Sequence, residues 1–203
     1  KRLKFVGKRR GKGFWEKVWW SDEKAFIIHN EPRRQWVESR DEVEPRETEV
    51  VEKSVRVWAA VSNQGRTEIY KIPPYWTSIE YGDFLKKKAI PDIFKKSSGD
   101  YVFQQDGDGA HVGKVVQKYF ADEGIEVLSD WPPRSPDLSP IENEWATLVR
   151  RLESRNMKTQ KGLWKAIKEE WANMEKEEVI NFAQSVRGRL KEVKAKDGGV
   201  TLH

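Results

Sequence analysis

The sequence contains no cysteine, which excludes disulfide bonds and thiolate metal sites and suits a reducing intracellular compartment. It has no apolar run near the roughly 20 residues that a membrane-spanning helix needs, and no secretory signal opens it. Its histidines are His29, His111 and His203, and their spacing matches neither a zinc site nor a partner for a serine or cysteine nucleophile. These absences argue against secreted disulfide-rich domains, zinc enzymes and Ser-His hydrolases.

Apolar and aromatic residues are present in the amounts typical of a folded domain. The 203 residues include ten tryptophans and are 37% apolar, so the chain can bury one core of ordinary size. The first residue is Lys1 rather than methionine, and we therefore expect the chain to be a piece of a longer protein.

Positive charge is concentrated at the start of the chain. Residues 1–18 hold eight basic residues and one acidic residue, a net charge of +7, which leaves −2 for the rest of a chain whose total is +5. Such a segment is typical of DNA-binding arms, because Lys and Arg release counterions when they meet phosphates. It equally fits a nuclear localisation patch or a solvated linker. We assign residues 1–17 as a basic linker or arm, with candidate DNA contacts at Lys8, Arg9, Arg10 and Lys12.

Residue patterns predict alternating strands and helices. β-Branched and aromatic residues predict strands at 18–28, 55–61, 67–72, 101–105 and 125–128, with 34–37 beginning a partner for the first of them. Helical patterns cover 79–94 (interrupted near Pro91), 112–123, 141–153, 160–173 and 176–194. The charged segment 37–54 is predicted to be an extended excursion. This alternation implies an α/β fold with a mixed sheet flanked by helices.

Two aspartates occupy positions that suit metal ligands. Asp22 lies within a strand among large apolar residues, an unfavourable place for an unpaired charge. The alternative is that it faces solvent, as Glu23 is expected to do. Asp106 follows a strand, and in open α/β sheets ligands bind beyond such ends. Its alternative role is an Asx turn before Gly107, and Asp108 is the second choice as ligand.

A third carboxylate, Glu142, has a strong competing interpretation. Residues 139–142 match a capping box, in which Ser139 caps a helix and Glu142 bonds back to the backbone of Ser139. A first-turn carboxylate is also favoured by the helix dipole and can turn toward a metal. The pattern alone leaves both roles open. Glu144 is the fallback ligand, and Trp145 is predicted to fix the helix against the sheet.

Six segments, taken in order along nearly the whole chain, form a specific pattern. They are WWSDE at 19–23, VRVW at 55–58, VFQQD at 102–106, DWP at 130–132, SPDLSPIEN at 135–143 and SVRGR at 185–189. Together they resemble the catalytic domain of the Tc/mariner transposases, members of the DDE group. The resemblance implies an RNase H-like fold for residues 18–203, with a clamp-type loop at 37–54 inserted after the first strand. It also implies an upstream DNA-binding region of the helix-turn-helix type that this chain lacks.

The same resemblance implies cut-and-paste transposition of DNA. Asp22, Asp106 and Glu142 are then both catalytic residues and metal ligands, with Asp22 bridging two Mg²⁺ ions, for which Mn²⁺ can substitute. Activated water hydrolyses a phosphodiester at the transposon end, and the freed 3′-hydroxyl attacks target DNA. Also implied are a homodimer formed through the 37–54 loop, a TA target dinucleotide and action in the nucleus. No small-molecule cofactor and no membrane partner are expected.

The chain departs from the family pattern in two places. Thirty-five residues separate Asp106 from Glu142, one more than the commonest spacing in this branch. Residues 107–111 read Gly-Asp-Gly-Ala-His where the family has Asn-Asp-Pro-Lys-His, so the lysine is missing and Lys114 is its candidate replacement. His111 is predicted to touch the scissile phosphate or to orient Asp106, and an ordinary surface histidine is the alternative. A domesticated DNA-binding protein that does not cut, and another RNase H-like nuclease, remain as alternative functions.

Overall fold

A mixed sheet forms the centre of the molecule. The computed structural model describes residues 1–8, 10–11, 13–28 and 54–202. Within these ranges the strands are β1 (Val18–Ile27), β2 (Ser54–Ser62), β3 (Gly65–Arg66), β4 (Tyr70–Lys71) and β5 (Val102–Gln104). β1 pairs antiparallel with β2, where Asp22 lies opposite Ala59, and parallel with β5, where Trp20 lies opposite Gln104. The mixed sheet predicted from the sequence is confirmed.

Three strand predictions have other outcomes. Of the strand predicted at 67–72, only β4 (Tyr70–Lys71) forms. The predicted strand at 125–128 is wrong as a full strand, because only one parallel bridge forms, between Phe103 and Val127. The bridge consists of two hydrogen bonds, from the N–H of Phe103 to the carbonyl of Glu126 (2.8 Å) and from the N–H of Leu128 to the carbonyl of Phe103 (2.7 Å), beside a β5 that is only three residues long. Residues 34–37 and the predicted loop at 37–54 lie outside the described residues, except for Ser54, which begins β2.

Helices pack on both faces of this sheet. In the described ranges the α-helices are α1 (Arg2–Gly7), α2 (Ser78–Phe84), α3 (Ile90–Ser97), α4 (Lys114–Asp122), α5 (Ile141–Glu153), α6 (Gln160–Ala172), α7 (Lys176–Gln184) and α8 (Val186–Ala195). None of the helices in this part of the chain is long and apolar enough to traverse a bilayer. The bounds of α5 are those predicted from the sequence, which matters because α5 carries Glu142.

Two predicted helices are divided in the structure. The helix predicted at 176–194 becomes α7 and α8, which meet at Ser185, whose Oγ donates a 2.6 Å hydrogen bond to the carbonyl oxygen of Phe182. Such a bond competes with the regular backbone bonds of a helix. In the predicted helix 79–94, a π-helical turn at 85–89 joins α2 to α3. Pro91 lies in the first turn of α3, where its missing N–H leaves no bond unmade.

Alternation along β1 assigns its side chains to two separate cores. Trp20 packs in the core beneath α5, together with Trp145. Trp19 packs in the core beneath α2 to α4, together with Phe103 and Tyr81. Because side chains alternate along a strand, Asp22 projects on the Trp20 side, toward α5. The indole Nε1 of Trp145 donates a 2.9 Å hydrogen bond to Asp22 Oδ2, in agreement with this assignment.

The start of the basic segment is docked on the domain. Phe5 of α1 is 1% exposed and belongs to the core that contains Trp20. Arg2 donates two hydrogen bonds, of 2.8 and 2.7 Å, to the carboxylate of Asp137, and it also donates to the backbone oxygens of Gly198 and Gly199. Burial of Phe5 holds α1 against the core. The bidentate ion pair between Arg2 and Asp137 holds α1 to the loop before α5, and the other hydrogen bonds of Arg2 hold it to residues 198–199. A free solvated linker is the wrong description of these residues.

Further cations of this segment are also engaged. Lys8 forms an ion pair with Asp130, and the guanidinium of Arg10 lies over aromatic rings, 5.1 Å from the Phe5 centroid and 4.7 Å from that of Phe14. A cation over an aromatic face is attracted by the ring quadrupole. The domain boundary at residue 17 stays a prediction.

Candidate active site

A cleft opens beside the middle of β1, where β5 ends next to the start of α5. It has a volume of about 260 Å³, and its lining includes all three predicted acids: Asp22, Asp106 and Glu142. The loop at 131–139 closes the opposite side. In the described part of the chain, no three side chains of the His, Cys, Asp or Glu type stand close enough together to form a ready-made metal cage. The acids thus line the cleft as separate groups.

Asp22 is held in the cleft by its indole neighbour. Its Oδ2 accepts the hydrogen bond from Trp145, so the carboxylate does not face open solvent as the alternative interpretation supposed. Burial and, after it, the negative charge of Glu142 together raise the pKa of Asp22 to about 7. The hydrogen bond from Trp145 opposes this rise. The ionised form of Asp22 is thus poorly stabilised by the protein and would be stabilised by a cation.

Asp106 uses one of its oxygens for protein contacts. Oδ1 accepts a 2.6 Å hydrogen bond from His111 Nδ1 and a 3.1 Å bond from the backbone N–H of Asp108. The bond from Asp108 is the predicted Asx turn, so the turn and the placement in the cleft coexist. The hydrogen bond from His111 lowers the pKa of Asp106, which keeps this carboxylate ionised. Asp108 also lines the cleft and bonds through its own carboxylate to the backbone N–H of Ala110.

Glu142 does not take part in a capping box. The residue before α5 is Pro140, in helical conformation, and no side-chain cap is present. The Oγ of Ser139 is buried and has no hydrogen-bond partner among the described residues. The capping interpretation was wrong because the side-chain bonds of a capping box are not made: the carbonyl of Ser139 accepts a 3.3 Å hydrogen bond from the Glu142 N–H, but α5 has no side-chain cap. Burial raises the pKa of Glu142, and the positive charge of Lys24 opposes that rise.

Glu144, the fallback ligand, is not among the residues that line the cleft. It is 0% exposed, and neither carboxylate oxygen has a hydrogen-bond partner among the described residues. Burial and, after it, the charge of Glu178 raise the pKa of Glu144, Arg66 and Arg151 oppose the rise, and the resulting pKa is about 7. Glu144 is thus a buried acid of the domain interior. Trp145 packs against the sheet core, as predicted.

His111 and Glu23 extend the site beyond the three acids. His111 is 8% exposed, which contradicts the surface alternative, and its ring lies between Asp106 and Glu23, with Nε2 3.1 Å from Glu23 Oε1. Burial alone would lower the pKa of His111, but the hydrogen bonds to Asp106 and Glu23 outweigh it and raise the pKa to about 9. Sequence reasoning placed Glu23 in solvent. The sequence feature that could have identified Glu23 as part of the site is its position beside Asp22, in a strand rich in large apolar residues.

Those cations predicted to contact DNA that lie within the described residues do not gather at the cleft. Lys8 is paired with an acid and Arg10 covers aromatic rings, as described above. Lys114 is exposed at the first residue of α4 and is not part of the cleft lining. Arg9 and Lys12 lie outside the described residues, so their contacts stay predictions.

One cation that sequence reasoning missed does line the cleft. Arg134 belongs to the proline-rich loop and has a left-handed backbone, with φ of 53°. Non-glycine residues adopt this conformation uncommonly, and it is often associated with functional loops. The signal that could have found Arg134 is a basic residue between Pro133 and the motif at 135–143.

Comparison with known proteins places these features in a family. The family model described as DDE superfamily endonuclease matches residues 17–164. The Tc3 transposase of Caenorhabditis elegans is 32% identical to this chain over 95% of the chain and 60% of its own length. The Tc1 transposase of the same organism is 30% identical over 71% of the chain and 55% of its own length. This chain therefore spans less than two thirds of these relatives.

Solved structures share the fold. The catalytic domain of Mos1 transposase with raltegravir and Mn superposes with a TM-score of 0.73 over 94% of this chain and 87% of that chain, at 16% identity. A Mos1 paired-end complex with its left transposon end gives a TM-score of 0.74 over 93% of this chain and 57% of that chain, at 17% identity. Because the identities are low, these matches establish the fold alone.

Fold and cleft together define a class: an RNase H-like domain with a cleft lined by acidic residues from β1, from just past the end of β5 and from the first turn of α5. The chain belongs to the DDE superfamily endonuclease family. The alternatives of a DNA-binding protein that does not cut, and of a nuclease acting on RNA hybrids, gain no support from these matches.

Proposed function

We propose that this chain is the catalytic domain of a Tc/mariner-type transposase that cuts DNA at transposon ends and joins those ends to target DNA. The observation that carries the proposal is that Asp22, Asp106 and Glu142 come from distant parts of the sequence and line one cleft. Membership of the DDE endonuclease family supports the same chemistry.

The cleft suits hard divalent cations. Its donors are carboxylate oxygens, which Mg²⁺ and Mn²⁺ prefer, and Glu142 accepts no hydrogen bond from a side chain of the described residues. Burial disfavours negative charge on both Asp22 and Glu142, so a cation would relieve an existing electrostatic strain. Such ions, when bound, stabilise charge on the attacking and leaving oxygens of phosphoryl transfer. We propose two ions per site, held by Asp22, Asp106 and Glu142.

The protein's own contribution is to orient these carboxylates. Trp145 and the backbone N–H of Glu23 donate to the carboxylate of Asp22, and His111 donates to Oδ1 of Asp106, whose Oδ2 has no donor among the described residues. In the first reaction a water oxygen bonds to phosphorus and the P–O3′ bond breaks, which leaves a 3′-hydroxyl and a 5′-phosphate. In the second, that 3′-hydroxyl bonds to a target phosphorus and displaces the target's own 3′ oxygen. Both nucleophiles are oxygens of water or DNA, so no covalent enzyme intermediate is required.

DNA is the proposed substrate and partner. Mos1, which shares the fold, has been solved in complexes with transposon-end DNA. In this chain Arg134 is a cation positioned to meet a phosphate in the cleft. We further propose a homodimer formed through the 37–54 loop, a TA target dinucleotide and action in the nucleus. Light scattering with and without end DNA, and sequencing of insertion sites, test the first two.

Joining of a pre-cut DNA end tests the proposal. The chain is mixed with Mn²⁺, a labelled duplex with a free 3′-hydroxyl and a supercoiled target plasmid. We expect Asp22→Asn, Asp106→Asn and Glu142→Gln each to abolish joining while thermal unfolding stays close to that of the unmodified chain. Glu144→Gln is the matched control, because it makes the same change two residues away and outside the cleft. If Glu142→Gln joins DNA at the rate of the unmodified chain, Glu142 is not a ligand; if all three do, the cleft is not the active site.

A further inference from the structure

A chain of charged side chains reaches Asp106 from the far face of the sheet. Glu23 Oε2 lies 3.0 Å from Arg56 Nη2, and Glu23 Oε1 lies 3.1 Å from His111 Nε2. His111 Nδ1 in turn lies 2.6 Å from Asp106 Oδ1. Glu23 follows Asp22 in β1, so its side chain leaves the sheet on the opposite side. Asp22 therefore lines the cleft directly, whereas its neighbour Glu23 is connected to the cleft through His111 and Asp106.

The ring of His111 is fixed by its surroundings. It packs on Tyr81, with ring centroids 4.2 Å apart, and its backbone oxygen accepts a 2.8 Å hydrogen bond from Gln105 Nε2. Gln105 is itself fixed by a 2.9 Å hydrogen bond from the hydroxyl of Tyr81. These contacts set the position of the ring, and the bond from Nε2 to Glu23 sets its rotation, which directs Nδ1 at Asp106.

Asp106 has little else to hold it. Its side chain is 56% exposed, whereas those of His111 and Glu23 are each 10% exposed. It is followed by Gly107 and Gly109, which offer no side chains against which it could pack. With both protein donors on Oδ1, no described residue donates to Oδ2. The orientation of this carboxylate therefore depends on His111.

A purely structural role does not account well for Glu23. A largely buried carboxylate is unfavourable unless its partners compensate, and replacing a buried ion pair by well-packed apolar residues is often neutral or stabilising. We propose that Glu23 is a positioning residue of the site: it fixes the His111 ring, which holds Oδ1 of Asp106 and leaves Oδ2 directed at the ligand. The catalytic consequence rests on the proposed function, but the effect on cation binding does not require DNA.

Mn²⁺ binding without DNA, followed by calorimetry or by the Mn²⁺ spin signal, tests the proposal. We expect Glu23→Ala to weaken Mn²⁺ binding by about 10- to 100-fold, the usual effect of removing an outer partner of a metal ligand. Glu23→Gln keeps an oxygen that can accept from Nε2–H and should restore most of the affinity. Glu178→Leu is the control, since Glu178 forms a 2.9 Å ion pair with Arg151 elsewhere in the fold, and it should bind Mn²⁺ normally. If Glu23→Ala does not fold, Glu23→Thr replaces it, because threonine suits a strand and is too short to reach the ring.

Two further measurements ask whether Glu23 acts through His111. In a His111→Asn background, Glu23→Ala should cause no additional loss of Mn²⁺ affinity; losses that add would overturn the proposal. The Nδ1–H proton of His111 should be visible by NMR in the unmodified chain and in Glu23→Gln, and lost to solvent exchange in Glu23→Ala. Persistence of this signal together with unchanged Mn²⁺ affinity in Glu23→Ala would equally overturn it. If the unmodified chain fails to join DNA but these results hold, the proposed function fails and the positioning role of Glu23 stands.

Discussion

Glu144→Gln offers a quantitative test of the domain's electrostatics. Glu144 is fully buried on α5 and has no hydrogen-bond partner among the described residues, and its pKa is raised from 4.5 to about 7. A carboxyl group whose folded pKa lies above its unfolded value destabilises the folded state once it ionises. Stability is therefore lost as pH rises from about 4.5 to about 7, and the full loss persists above that range. Glutamine cannot ionise and escapes this loss.

The magnitude follows from the size of the shift. The rise of the Glu144 pKa from 4.5 to about 7 corresponds to about 3 kcal/mol of unfolding free energy, because each pKa unit is worth about 1.4 kcal/mol. We treat this value as an upper bound, because Arg66 and Arg151 can rearrange toward an ionised Glu144. At pH 4.5 the acid is neutral in the folded state and about half ionised in the unfolded state, so ionisation costs only a few tenths of a kcal/mol there and the substitution does little beyond replacing the carboxyl hydroxyl with an amino group. Between pH 4.5 and pH 8, we expect the unfolding free energy of Glu144→Gln to increase by up to about 3 kcal/mol relative to that of the unmodified chain.

Urea unfolding followed by tryptophan fluorescence provides the assay. Trp145 and Trp171 stack at 5.7 Å between α5 and α6 and report the unfolding of this region. The difference in unfolding free energy between the variant and the unmodified chain is measured at pH 4.5, 6 and 8, so that the contributions of titrating groups common to both chains cancel. Glu153→Gln at the exposed end of α5 removes an equal charge from the same helix and should show no such trend. A difference that is flat with pH, or that favours the unmodified chain at pH 8, would refute the reasoning and show that the arginines stabilise ionised Glu144.

Three other predictions follow from the site and the charge layout. Mn²⁺ affinity should rise between pH 6 and about 7 and then level off. The reason is that the pKa of Asp22 without metal is about 7 and that Mn²⁺ must displace the proton of Asp22. Calorimetry that shows constant affinity from pH 6 to 8 would contradict this. Ser139→Ala should change the unfolding free energy by less than about 0.5 kcal/mol, because Ser139 does not cap α5; a loss above about 1 kcal/mol in urea unfolding would indicate a cap. Binding to mixed-sequence duplex DNA should be weak, and its affinity should fall with salt. The slope of log affinity against log salt concentration should be shallower than about −7, which is the value for eight free cations. The reason is that Arg2, Lys8 and Arg10 are engaged by the domain. Tight, sequence-selective binding at physiological salt would contradict the last of these.

The sequence by itself determined the features that depend on neighbouring residues. The β-branched and aromatic residues around Asp22 predict β1, and the helical pattern that follows Pro140 predicts α5 with the observed bounds. Glu142 then lies in the first turn of that helix and Asp106 just past a strand. These positions follow from local periodicity and turn chemistry, which a chain carries within a few residues. The short motifs, taken in order, also sufficed to identify the family.

Only the tertiary structure decided which charges meet. Glu23 was expected in solvent, yet it bonds to a histidine 88 positions further along the chain. Ser139 matched a capping box, but the packing of its loop leaves its hydroxyl without a described partner. Arg2 was counted as part of a free basic arm, yet it binds Asp137 across 135 positions. Such partners are brought together by burial of the whole sheet and its helices, and no local pattern records them, because the free energy that pairs them is released only when the core closes.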